Sequence, residues 1–149
     1  MKALTTLLVV GMFLMPAALG DDADDVKAAV LEFYEQLNDE DADFTGFYLA
    51  GGSAFPRTGS LLQPSAFNRS ASQANFNAGL DFDVAVRHLD AKVYGDTAVA
   101  TYYTAGTTKY ADGSTLRGIF RASMTWIRQG GQWRIVHIHV SPLQSQPGQ

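Results

Sequence analysis

The chain has 149 residues, 46% of them hydrophobic, no cysteine, and a formal net charge of −4. That length supports one domain with a substantial core, and the lack of cysteine excludes disulfides and thiolate chemistry. Ten of the fifteen acidic residues fall between Asp21 and Asp43 against one base, Lys27, so a polyanion would be repelled and nucleic acid is not an expected partner.

Residues 1–20 read as a secretory signal peptide. Lys2 and the amino terminus supply positive charge, Leu4 to Met15 is almost wholly apolar, and Pro16 breaks the run. Ala18-Leu19-Gly20 offers small residues before a cut at Gly20–Asp21. The apolar run is shorter than the roughly 20 residues a membrane span needs, so no membrane association is expected after cleavage. Loss of Lys2 moves the formal charge from −4 to −5. The expected location is periplasmic or secreted.

From Asp21 onward the pattern becomes helical. Val26, Ala29, Val30, Phe33, Tyr34 and Leu37 form one apolar stripe at helical spacing. Asp24 or Asp25 is the expected cap, and Asn38-Asp39 ends the helix. Ala42 to Leu49 is expected as a second, short helix, stopped by Ala50-Gly51-Gly52-Ser53. Residues 53–63 are turn-rich. A third helix is expected from Pro64-Ser65 to about Asn77.

The period then changes to that of strands. Asp81 to Val93, Thr97 to Lys109, Leu116 to Arg128 and Gln132 to Ser141 read as a four-strand antiparallel meander. Pro142 is expected to end pairing, leaving 142–149 as a disordered tail. Helices followed by long antiparallel strands make an α+β class, with one domain over 21–141.

The last hairpin is the most informative segment. Gly130-Gly131 supplies the positive φ values of a two-residue turn. A regular register from that turn sets Trp126 opposite Ile135, Met124 opposite His137 and Ala122 opposite His139. His137 and His139 would then share a face with Phe120, Ala122, Met124 and Trp126. A bulge beyond the turn would swap these faces.

This ending, "TWIRQGGQWRIVHIHVS", resembles the C-terminal hairpin of SnoaL-like domains in the nuclear transport factor 2-like superfamily. It is nearest the branch of the calcium/calmodulin-dependent kinase II association domain. Trp126, Gly131, Trp133, His137, His139 and Ser141 carry the match, with weaker support from "FYEQLNDEDADFTGFY" and "VYGDTAVATYY". The resemblance implies a cone-shaped, cystatin-like fold in which a curved antiparallel sheet wraps around the N-terminal helix and encloses a cavity. It also implies a homodimer through the open face of the sheet. Met124 and Val140 stand where that branch usually carries arginines, which removes the reason to expect an anion pocket of its kind.

The candidate ligand-binding residues are Tyr34, Tyr102, Arg121, Met124, Trp126, His137 and His139. His137, His139 and Asp83 are the candidate general bases. His-x-His could offer two nitrogens to a metal, but zinc needs at least a third ligand, and nothing brings His88 or Asp83 there, so no metal site is expected. No phosphate loop, zincin motif or defensible Ser-His-Asp order is present, and no cofactor is expected. The leading expectation is an exported domain that holds a small organic molecule in an apolar pocket. An isomerase, cyclase or dehydratase with a His or Asp base, and a structural oligomerisation module, are the alternatives.

Overall fold

A computed structural model describes residues 21–64 and 67–143. The expected signal peptide and the end of the expected tail lie outside the described residues.

Helix α1 spans Asp22–Asn38 and buries Val26, Val30, Phe33, Tyr34 and Leu37, which is the stripe the sequence spacing marks. Its cap is Asp21, one turn earlier than expected: the Asp21 carboxylate accepts from the Ala23 N–H at 3.2 Å. Asp22, Asp24 and Asp25 then fall in the first turn, where the helix dipole favours them. At the other end, the Asn38 side chain clamps α1 to the sheet. Its amide donates to the Val84 carbonyl at 2.9 Å and its oxygen accepts from the Val84 N–H at 3.0 Å.

A six-residue 3-10 turn, Ala42–Phe47, replaces the front of the expected second helix. Strand β1, Tyr48–Phe55, occupies the segment expected to stop it, and pairs briefly with β2, Gln63–Pro64. Helix α2 is Arg69–Asn77, shorter than expected, because Asn68 caps it by accepting from the Ala71 N–H at 3.2 Å. The long strands follow as β3 (Asp81–Tyr94), β4 (Thr97–Lys109), β5 (Thr115–Gln129) and β6 (Gln132–Pro142).

The expected meander is present, but the sheet has six strands in the order β2-β1-β6-β5-β4-β3, curved and unclosed. The missed β1 lies parallel to β6, with Ala54 beside Ile138. No local pattern announces it, because its pairing is long-range and Gly51-Gly52 carries weak strand preference. β6 also continues through Pro142, opposite Phe120, and the Leu143 N–H donates to the Ile119 carbonyl at 2.9 Å. Pro142 therefore does not end the pairing.

The hairpin register requires a correction. Trp126 does pair with Ile135, as expected. Beyond it, Thr125 pairs with His137, Met124 with Ile138 and Ser123 with His139, which leaves Val136 as an extra residue in a bulge. Every side chain after the bulge changes face. Ile138 and Val140 turn toward the helices, 8% and 7% exposed, and both histidines turn away. The energetic reason is burial: a regular register would put two imidazoles under the helices and two aliphatic side chains outside. β3 uses the same device. Phe82, Val84 and Val86 face inward, His88 takes φ 51° at a register shift, and Leu89, Ala91 and Val93 resume the inward phase.

Candidate functional site

The helix-covered face of the sheet encloses a cavity of about 460 Å³. Aromatic side chains form a large part of its wall. α1 contributes Phe33 and Tyr34, the 3-10 turn Phe44, β1 Tyr48, α2 Phe76 and β3 Phe82. Phe33 meets Tyr34, Phe44 and Tyr48 edge-on, and Phe44 meets Phe76 in the same way. These contacts interlock the wall without filling the space it encloses.

Tyr48, Gln63, Ser72, Asn75, Thr108 and Tyr110 add polar atoms to the wall, and two further polar features define the site. The first is a phenol pair. Tyr34 and Tyr102, each 3% exposed, set their hydroxyls 3.2 Å apart. Burial holds the Tyr34 phenol above its ordinary value, opposed by the Tyr102 hydrogen bond and the Arg57 charge. Burial, reinforced by Tyr34, also raises Tyr102 well above the ordinary range. Both stay protonated at neutral pH. Because one proton suffices for the bond between them, the pair keeps a second that it can donate.

The second is Arg57, on the loop after β1. Its Nη1 donates to the Thr108 hydroxyl at 2.6 Å. Its guanidinium carbon sits 5.1 Å from the Phe120 ring centre and 5.7 Å from that of Phe82, within cation–π range. Among the described residues that line the cavity, Arg57 alone is charged.

The residues singled out in the sequence divide between two faces. Tyr34 borders the cavity, and Tyr102 supports it from β4. Met124 and Trp126 are fully buried in the core behind it, with Phe47 edge-on to Trp126 at 6.2 Å. Arg121, His137 and His139 lie on the open face. Arg121 Nε donates to the Ser141 hydroxyl at 3.0 Å. His137 Nδ1 and the Ser53 hydroxyl are 2.8 Å apart, and the Phe55 ring lies 5.4 Å from that of His139. Asp83 is exposed on β3, in the opposite phase to the inward Phe82 and Val84. None of the three expected bases lines the cavity. A smaller groove of about 320 Å³ on the open face collects His88, Tyr103, Arg121 and His139. Among the described residues, no group of three or more His, Asp or Glu side chains gathers in a metal-binding arrangement.

Arg57 is the residue that sequence reasoning missed. It stands alone in a turn-rich stretch, and only the parallel pairing of β1 carries it to the cavity. The faces of the histidines had a readable signal: the apolar phase of the last strand shifts between Ile135 and Ile138.

The family model of the SnoaL-like domain matches residues 26–145. The chain belongs to the SnoaL-like domain family. Solved structures place this SnoaL-like domain in the nuclear transport factor 2-like, cystatin-like fold. It superposes with a TM-score of 0.69 on a candidate dehydratase of that superfamily from Streptomyces avermitilis, at 17% identity, covering 83% of this chain and 97% of the other. A relative from Cytophaga hutchinsonii gives a TM-score of 0.67 at 14% identity, over 80% and 97% of the two chains. A ketosteroid isomerase-like protein from Erwinia carotovora atroseptica gives 0.65 at 16% identity, over 85% and 100%. Identities this low establish the shared fold alone. No curated protein matches the chain.

Proposed function

We propose that this SnoaL-like domain is an exported binding protein for a small organic molecule, held in the cavity between α1, α2 and the sheet. The observation that carries this reading is the cavity itself. About 460 Å³ of partly aromatic space with a few fixed polar groups is the usual form of a small-molecule site. The phenol pair can hydrogen-bond a ligand oxygen. Among the described residues that line it none is a carboxylate or imidazole, and the arrangement favours binding and orientation.

Export rests on residues 1–20, and cleavage before Asp21 would leave the cap of α1 intact. Dimerisation through the open face rests on the family resemblance. It is supported by apolar side chains left there, Ile119 at 52% and Tyr103 at 40% exposed.

A catalytic reading has one observation in its favour: the open-face groove gathers His88, Tyr103, Arg121 and His139. It would place an isomerase, cyclase or dehydratase base at His139, away from the cavity. Unchanged turnover of the true substrate by a protein with both His137 and His139 replaced by Ala would exclude it.

A native mass spectrum of the protein purified gently from its own host tests the leading proposal. It should show a dimer that begins at Asp21 and carries extra mass. A monomer without added mass would contradict both the dimer and the retained ligand.

A further inference from the structure

We propose that the cavity selects a hydrophobic monoanion, an aromatic or alicyclic carboxylate, with the Arg57 guanidinium as its charge partner. This rests on the ligand-binding reading above and adds the ligand's charge.

Three observations carry it. First, Arg57 is the one charged residue among the described residues lining the cavity, in a chain of net charge −4. The site is thus a local positive centre inside an acidic protein. Second, Arg57 is held in place without being neutralised. The Thr108 hydroxyl takes one of its five N–H donors, and its guanidinium carbon sits over the Phe82 and Phe120 rings at 5.7 and 5.1 Å. Among the described residues no carboxylate pairs with it, although Asp24, Asp43 and Asp22 are paired with Lys27, Arg69 and Arg128. Donors therefore remain for a ligand. Third, the rest of the wall is apolar or neutral, which lowers the local dielectric and strengthens attraction between a guanidinium and an anion. The planar fork suits a carboxylate, and the aromatic walls suit a flat or ring-shaped body behind it. A cationic ligand would meet an uncompensated positive charge.

Titration calorimetry with naphthylacetate and its primary amide tests this on the protein expressed with its own leader. The two probes share shape and differ in charge. The carboxylate should bind the unaltered protein about tenfold or more tightly than the amide. Arg57→Gln should erase that preference by weakening the carboxylate far more than the amide, and Arg57→Lys, which keeps the charge but not the fork, should retain part of it. Equal binding of both probes to the unaltered protein, or a preference that survives in Arg57→Gln, would overturn the monoanion inference and leave the cavity as a site for neutral ligands. Failure of both probes to bind the unaltered protein would overturn the ligand-binding reading along with it.

Discussion

On the helix-covered face, β5 presents Ala122, Met124 and Trp126, each 7% exposed or less. On the open face the same strand presents Arg121, Ser123 and Thr125, beside His137 and His139 of β6. The sequence is equally rich in notable residues on both sides, but the physical situations differ. The covered side combines enclosure, aromatic walls and one unneutralised guanidinium. The open side holds more titratable groups around a smaller space. Chemistry-bearing residue types are therefore a poor guide to the site unless the face they occupy is known, and one inserted residue at Val136 decides that face.

The comparison would break first at the core. Trp126→Ala removes a side chain with no exposed surface and should cost about 3–5 kcal/mol of stability, read by chemical denaturation. A loss below about 1 kcal/mol would mean that the covered face is not the packed one.

The phenol pair gives a smaller and more specific effect. Tyr102→Phe leaves the buried Tyr34 hydroxyl without its partner and should cost about 1–3 kcal/mol, whereas replacing both tyrosines by Phe should recover part of that loss. Additive losses in the double variant would show that the two hydroxyls do not act as a pair.

Next comes pH. Tyr34 and Tyr102 have folded-state values raised above the ordinary 10.0, chiefly by burial, so the folded state holds these protons more tightly than the unfolded state. Their contribution is fully present below pH 10.0 and is lost as pH rises through the folded-state values. A phenolate absorbance titration should show the pair ionising only above the ordinary 10.0, as the fold is lost. A single early step involving all the tyrosines would refute their burial.

The smallest effect is expected on the open face. His139→Ala should change stability by no more than about 0.5 kcal/mol, because the side chain is exposed and has no hydrogen-bond partner among the described residues. The limit holds for the monomer, where a loss of several kcal/mol would contradict the exposure of His139; in the proposed dimer the open face is covered and a larger loss is expected.

Much of the fold was legible because its signals are local. The α1 stripe from Val26 to Leu37 and the Gly-punctuated strands from Asp81 onward follow from residue spacing alone. β1 was not legible, since its place beside β6 depends on partners more than eighty residues away, such as Ser53 with His137. The site was legible in part. Tyr34 emerged from the helical stripe, and Tyr102 only as one of the phenols of the second long strand. A regular register set the histidines on the wrong side of the hairpin; the bulge that swaps the faces was foreseeable in kind, but its place at Val136 follows from burial of Ile138 and Val140. Arg57 carried no local signal, since its importance comes from what long-range pairing sets around it.

The most direct test of the account is an NMR titration with naphthylacetate that follows assigned backbone and side-chain signals on both faces. The account predicts shifts centred on Phe44, Arg57, Phe76 and Phe82, with His139, Ser123 and Arg121 little affected. Shifts centred on the open-face groove, with the cavity signals unmoved, would contradict it.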